Sequence, residues 1–238
     1  MEQKSKIMQL TNQELIESIQ SGNISVCIIG IGRIGLPTAL SFANSGLPTV
    51  GVDINYNLVE MINSKIFPLK DEPGYDVIFE KVIHEKFHVS TKIEEIVPNS
   101  DVIVLSLPTP MNKNNIPDYY ALLSVGKQLG ELLTKDSVVI IESTVEPGFI
   151  ENELIKSIES SEKQLIAGKD FAIGVCPETA NPGQIMNDFE KLPRLVGSIN
   201  DETTNVIMKI YKHVFTVDLI PMPNCKTANA VKLTTNVF

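Results

Sequence analysis

Short apolar runs recur along the chain, each followed by a stretch long enough for a helix, and an amphipathic segment precedes them all. Thr11-Asn12-Gln13-Glu14 has the form of a capping box ahead of Leu15, Ile16 and Ile19, so residues 11–20 read as a short helix that Ser21-Gly22-Asn23 stops. Val26-Cys27-Ile28-Ile29 is an apolar strand, Gly30 to Gly35 a tight turn opening a helix, and Val50-Gly51-Val52-Asp53 a second strand ending in a carboxylate. Leu58, Val59 and Ile62 give an apolar face to a helix over 57–64, the Pro- and Gly-containing stretch 67–74 interrupts it, and a helix over 75–84 follows. His88-Val89-Ser90 reads as a short strand, and Thr91 to Glu94 caps a helix that ends at Val97-Pro98.

The second half repeats the alternation. Val102 to Leu107 is a buried strand ended by Pro108-Thr109-Pro110; a helix over 120–133 leads to the strand 137–141, and a helix over 151–159 leads to the strand 171–176. Residues 194–199 form a further strand, Asp201 caps a helix through Tyr211, and a last short strand is expected over 214–220. Such a pattern predicts an α/β fold, a doubly wound, mostly parallel sheet with helices on both faces. Residues 227–238 begin a helix whose Ala228, Val231, Leu233 and Val237 need cover, from a partner subunit, a homodimer contact or more of a longer architecture.

Composition narrows the partners. With 238 residues the chain can bury a substantial core, and its formal charge of −9 with no long basic run argues against nucleic acid or an anionic membrane. No apolar span approaches the roughly 18 residues of a membrane helix, and the N-terminus lacks a signal core, so a cytoplasmic protein is expected. Cys27, Cys176 and Cys225 are odd in number and far apart, which speaks against a disulfide framework or a zinc knuckle; Cys27 and Cys176 read as core thiols.

The glycines carry the most specific chemistry. Gly30 permits the turn at the strand's end, Gly32 lets backbone approach a pyrophosphate, and Gly35 lets the helix pack closely on the sheet. Unpaired amides at that helix's start face phosphate, and Asp53, 18 residues beyond Gly35, is placed to accept from an adenine ribose. A carboxylate there favours NAD over NADP. The competing reading is a glycine-rich turn of some other α/β protein. Arg33 sets a long cation beside the turn, with phosphate contact, cover over the site and solvation all open to it.

Thr109, Thr144 and Glu178 each follow an apolar strand, and the carboxyl ends of parallel strands converge on one crevice. Each alone is as compatible with a turn role as with chemistry; their shared position favours function. Lys232 and Asn236 lie four apart on the terminal helix, as an oxyanion-stabilising pair or as a solvated stripe. Glu80, His84 and His88 also recur every four residues, but the extended look of 87–90 breaks the face, so a charged helix end is preferred to a metal site and no metal is expected. A Tyr-x-x-x-Lys pair in a strand-helix context, as a short-chain reductase would need, is not found.

Several segments together resemble the UDP-glucose/GDP-mannose dehydrogenase family. They are Gly30-Ile31-Gly32-Arg33-Ile34-Gly35-Leu36-Pro37, Asp53-Ile54-Asn55, Glu72-Pro73-Gly74, Leu107-Pro108-Thr109-Pro110, Glu142 to Gly148, Cys176-Pro177-Glu178, Asn181-Pro182-Gly183 and Ala230 to Asn236, in the family's order across residues 24–238. The early capped helix and the Cys-Pro-Glu with Asn-Pro-Gly look most like its UDP-N-acetyl-D-mannosamine dehydrogenase branch, particularly the archaeal members. The resemblance implies a Rossmann-like NAD-binding domain over 24–222, an N-terminal helical extension over 1–23 and the start of a central linker or dimerisation helix over 223–238. It implies oxidation of a UDP-sugar C6 primary alcohol to the carboxylate with two NAD per substrate, for which UDP-N-acetyl-D-mannosamine is the expected substrate and UDP-glucose the alternative, in nucleotide-sugar metabolism and polysaccharide biosynthesis.

By the same resemblance Thr144 holds the catalytic water, Glu178 is the general acid/base, Lys232 and Asn236 stabilise the oxyanion, and Thr109 lies near the nicotinamide end. Residues Gly30, Ile31, Gly32, Arg33, Ile34, Gly35, Asp53, Thr109 and Thr144 form the implied cofactor set. Two departures stand out. Thr179 occupies a position often arginine in this branch, and the family's nucleophilic cysteine lies beyond the lysine-to-asparagine helix, whereas all three cysteines here precede Lys232. The expectation for residues 1–238 is NAD binding with weak or absent four-electron oxidation; the alternative is a truncated, inactive NAD-binding module docking through its terminal helix.

Overall fold

Apolar runs of four residues, too short for helices and flanked by turn formers, are laid side by side in the computed structural model, which describes residues 7–235. Strands β1 (Val26–Ile29), β2 (Thr49–Val52), β3 (Phe87–Ser90), β4 (Val102–Leu105), β5 (Val138–Ile141) and β6 (Ala172–Val175) pair in parallel in the order β3-β2-β1-β4-β5-β6. The chain leaves β1 towards one edge through β2 and β3, then returns to lay β4 on the other side of β1. That reversal opens a crevice above the carboxyl ends of β1 and β4.

Ten helices are described between and around these strands: α1 (Asn12–Gln20), α2 (Gly35–Asn44), α3 (Tyr56–Asn63), α4 (Tyr75–Val82), α5 (Ile93–Ile96), α6 (Tyr120–Leu132), α7 (Ile155–Glu159), α8 (Ile185–Lys191), α9 (Asp201–Val214) and α10 (Cys225–Thr235). Every residue of β1, β4, β5 and β6 is buried, and alternate side chains enter different cores. Val26, Ile28, Val102, Val104, Val138 and Ile140 pack with α1, α2, α4 and α9. Cys27, Ile29, Ile103, Leu105, Val139 and Ile141 pack with α6, α7 and α10 on the opposite face. The expected layer order is thus observed.

The capping box at Thr11 and Glu14 forms, and α1 buries Leu15 and Ile19 in the first core, with Lys209 of α9 donating to the side-chain amide oxygen of Asn12. The N-terminal helix therefore belongs to the body of the fold. Among the described residues no helix is long and apolar enough to cross a membrane.

Several boundaries differ from expectation, each for a local reason. Strand β7 (Arg194–Ser198) runs antiparallel to β6, and β8 (Leu219–Pro221) pairs with β7, so the last strand spans neither 214–218 nor the full 214–220 run. The residues before it complete α9, and Phe215 and Val217 enter the core without joining a ladder. Asn200 caps α9, not Asp201, because its extended backbone aims the side-chain oxygen at the Thr203 amide at 2.8 Å. Thr91 caps nothing: α5 is a single turn, and the Ser90 hydroxyl takes the Lys92 amide instead. The helix expected from Glu151 begins one residue earlier as a π turn, Ile150–Leu154, that runs into α7. Helix α4 stops at Val82, and His84 at φ 64° turns the chain, so Glu80 and His84 share no continuous helix face.

Of the α10 residues expected to need cover, Ala228 is buried within the fold, while Val231 and Leu233 are half-buried. Ala228 is buried against Gly197 of β7, where an added Cβ would sit 3.0 Å from the Ala228 Cβ. Asn236 and Val237 lie outside the described residues.

Candidate functional site

The parallel register brings Ile29, Val52, Leu105, Ile141 and Val175 into one row, so the residues that follow them emerge together at one edge. Above that row lies a cavity of about 790 Å³, lined among others by Gly30, Gly32, Asp53, Thr109, Thr144 and Glu178. Residues as far apart in sequence as Gly30 and Glu178 thereby share one wall.

Each glycine of the turn has a distinct steric reason. Gly30 holds φ +88° with its missing Cβ only 2.5 Å from the Ser106 carbonyl oxygen, and a Cβ on Gly35 would lie 1.8 Å from the Gly30 oxygen. Gly32 is different: nothing lies within 4 Å of its Cβ position, so bare backbone faces open space at the mouth of α2. That opening is what a pyrophosphate approaching helix amides requires. Arg33 and Ile34 also line the cavity, whereas Ile31 and Gly35 are buried beneath it. Ile31 packs against Gly51, where a Cβ would come within 2.6 Å of its side chain.

Asp53 follows β2 with its carboxylate in the cavity wall. One oxygen accepts the Ile31 amide at 3.0 Å and the other the Asn55 amide at 2.9 Å, which fixes the side chain beside the glycine turn. The open Gly32 backbone and the carboxylate fixed beside the glycine turn together fit a dinucleotide.

At the far end of the cavity the loops after β4 and β5 are tied together. Thr109 Oγ1 donates to the Thr144 carbonyl at 2.9 Å, while the Ser143 hydroxyl accepts the Leu107 amide at 2.8 Å and donates to the Leu107 carbonyl at 2.8 Å. Glu178 extends from the segment after β6, and its carboxylate accepts the Ala180 amide. Burial raises the Glu178 carboxyl above the ordinary carboxylate value; the Ala180 amide, Arg194 and Lys232 oppose the rise. Lys232, 5% exposed on α10, has its ammonium pulled below the usual lysine value by burial, against the pull of Glu178. The two charges feel each other, so Lys232 and Glu178 belong to one electrostatic neighbourhood.

At the floor of the cavity, which Glu142 lines, is a buried network whose pairings the strand and motif pattern did not show. Glu142, the residue after β5, accepts from Thr38 of α2 and from the Tyr211 hydroxyl of α9, both at 2.9 Å, and Arg194 Nη1 lies 3.5 Å from its Oε1. Arg194 is held between the rings of Phe189 and Phe215, 4.2 and 3.9 Å from their centroids. Burial raises the Glu142 carboxyl, with Arg194 and the two hydroxyls working against it. An arginine heading an apolar strand looks like a solvated strand end, and only its aromatic partners, distant in sequence, reveal otherwise. The three cysteines are all buried, and burial pushes the Cys176 and Cys225 thiols up to about 12 and raises Cys27 as well.

Arg33 is exposed but not free. Its Nη1 meets Asp71 at 2.7 Å and Glu72 at 2.9 Å while its side chain still borders the cavity. Among the described residues no three His, Cys, Asp or Glu side chains converge as metal ligands; the His84 and His88 rings stand 6.3 Å apart.

Known proteins resemble this chain in sequence and in fold. Protein CapL of Staphylococcus aureus is 32% identical over 218 residues, covering 90% of this chain and 49% of that relative. The UDP-N-acetyl-D-mannosamine dehydrogenase of Campylobacter jejuni is 32% identical over 220 residues, 90% of this chain and 53% of its own length. The solved structure of UDP-D-ManNAc dehydrogenase from Pyrococcus horikoshii superposes with a TM-score of 0.84 at 30% identity, covering 90% of this chain and 50% of that one. The chain thus spans about half the length of the relatives it matches. Residues 24–215 match the model of the UDP-glucose/GDP-mannose dehydrogenase family, NAD binding domain. By that match, and by the crevice the strands build around Gly32 and Asp53, the chain belongs to the UDP-glucose/GDP-mannose dehydrogenase family and carries its NAD binding domain.

Proposed function

We propose that this protein takes part in the NAD-dependent oxidation of a UDP-sugar at its C6 primary alcohol to the carboxylate, with UDP-N-acetyl-D-mannosamine as the substrate. The carrying observation is the single cavity that gathers Gly32, Asp53, Thr109, Thr144 and Glu178. The names of the relatives support the choice of sugar nucleotide.

In this reading Asp53 accepts from the adenine ribose, the Gly32 backbone and the first amides of α2 bind the pyrophosphate, and Thr109 borders the nicotinamide end. When bound, NAD supplies the acceptor for each hydride that leaves the sugar carbon. Two such transfers and one water convert the alcohol to the carboxylate. Glu178 takes and returns protons at its carboxylate, and the burial that raises it brings its affinity for a proton nearer to neutrality. Thr144 orients the water, while Lys232, together with Asn236, stabilises developing negative charge on oxygen. The lowered Lys232 ammonium is the more readily able to exchange a proton with the reacting oxygen.

Calorimetric titration tests the cofactor assignment. NAD is expected to bind at least about tenfold more tightly than NADP, because the 2'-phosphate meets Asp53; equal affinity, or preference for NADP, overturns it. The substrate assignment is tested by NADH absorbance with UDP-N-acetyl-D-mannosamine and UDP-glucose in turn, and turnover of UDP-glucose alone would replace the proposed sugar. A second reading, an NAD-binding module without oxidation, is motivated by the burial of all three thiols. Tight NAD binding with no NADH from any UDP-sugar would favour it.

A further inference from the structure

The Glu72-Pro73-Gly74 segment lies outside the groups given a role so far, yet it buries a carboxylate beside the cavity. The Glu72 side chain is 1% exposed and gathers three donors: Arg33 Nη1 at 2.9 Å and the Gly183 amide at 2.7 Å on one oxygen, and the Ile185 amide at 3.3 Å on the other. The two amides belong to the turn that opens α8. That turn is itself anchored, because Asp188 of α8 accepts both the backbone and side-chain nitrogens of Asn181 at 2.8 and 3.1 Å. Gly74, at φ +90°, lies so close to α8 that an added Cβ would fall 2.5 Å from Met186 Sδ. Glu72 is therefore fixed against a helix, independently of the glycine turn.

Arg33 is the link from this anchor to the cavity. Its side chain is 43% exposed and borders the opening next to Gly32, and both acidic partners, Glu72 and the 59% exposed Asp71, meet the same Nη1. A guanidinium carries five donors, so Nε and Nη2 are left to form the planar fork that suits phosphate oxygens. Held by Glu72, that fork is set in place before a ligand arrives, and the rotamer freedom of a long side chain is already restricted.

We propose that Glu72 is a positioning residue for the cofactor diphosphate, acting through Arg33: it holds the guanidinium beside the Gly32 backbone as a second set of phosphate donors. The proposal rests on the NAD reading of the same cavity. It assigns the buried acid no contact with the ligand. Its removal should therefore matter only while Arg33 is present and only for ligands that carry phosphate.

A double-mutant cycle tests this on the chain itself. NAD affinity is measured by calorimetry for the unaltered chain, Arg33→Ala, Glu72→Gln and the double variant; adenosine, which lacks phosphate, is followed by NMR titration on the same four. Arg33→Ala and Glu72→Gln are each expected to weaken NAD on the order of tenfold, the double variant no further than Arg33→Ala, and adenosine not at all. Additive losses, an unchanged Glu72→Gln, or equal losses for adenosine overturn the positioning role while leaving NAD binding intact. Absence of NAD binding by the unaltered chain overturns the NAD reading and this proposal with it. Should Glu72→Gln lose its fold by circular dichroism, Asp71→Asn takes its place. It touches the same Nη1 but neither Gly183 nor Ile185, and a loss of NAD affinity that vanishes in the Arg33→Ala background is expected, against one that persists there.

Discussion

Gly35 has a carbonyl oxygen where its side chain would begin, 1.8 Å from the ideal Cβ position. Gly35→Ala forces α2 away from β1 and is expected to cost about 3 kcal/mol or more and to abolish NAD binding, read by urea unfolding and calorimetry together. The same substitution at Gly32 meets open space, so its effect should fall on the ligand and leave the unfolding midpoint nearly unmoved. These roles were legible, since the spacing from Gly30 to Asp53 fixes them. The partners of Arg33 were not, because Asp71 and Glu72 lie in a loop with no periodicity to place it. Glu178 gives a pH prediction. Its folded carboxyl is raised by burial, so the stability it contributes is full below the ordinary value near 4.5 and declines as pH rises through the folded value. In Glu178→Gln that decline should be reduced, as measured by urea midpoints across the acidic-to-neutral range. A steeper decline in the variant would show that ionised Glu178 is stabilised in the fold.

Among the elements, the strands were the most readable, since continuous apolar runs of β1, β4, β5 and β6 announce burial on both faces. Helix ends were less so: side-chain caps depend on one torsion, as Asn200 displacing Asp201 illustrates. The direction of β7 was not legible either, because an apolar run carries no sign for parallel or antiparallel pairing. Close helix approach is likewise hidden. Helix α6 places Gly126 and Gly130 one turn apart against α7, and a Cβ on Gly130 would stand 2.2 Å from the Ile158 carbonyl oxygen. Ser157 and Ser161 stitch the pair by donating to the carbonyls of Leu123 and Gly130, both at 2.9 Å. Gly130→Ala is expected to destabilise by about 2 kcal/mol, seen as a lower denaturant midpoint with NAD affinity retained. A neutral result would mean that α7 can move outward freely.

Across the whole molecule, Glu142 after β5 and Arg194 of β7 tie one side of the sheet to α2 and α9. Removing one partner leaves a buried charge, so Arg194→Met should cost about 3–5 kcal/mol. Adding Glu142→Gln should recover part of that loss. Equilibrium unfolding of the four proteins in the cycle decides it, and strict additivity would deny the coupling. Glu142 heads one of the family-like segments and Arg194 a strand, but their pairing is not legible in the sequence, because each is polar in an apolar context and the partner lies far along the chain. The placement of the three cysteines has another consequence. Cys27 in β1, Cys176 after β6 and Cys225 at the start of α10 are shielded and held as thiols, so an alkylating reagent can reach each only when its surroundings open. Their labelling rates become three internal clocks of local opening. The Cys225 clock times the detachment of α10 from β7, and the Cys27 clock times the opening of the core between the central strands and the helices that cover them.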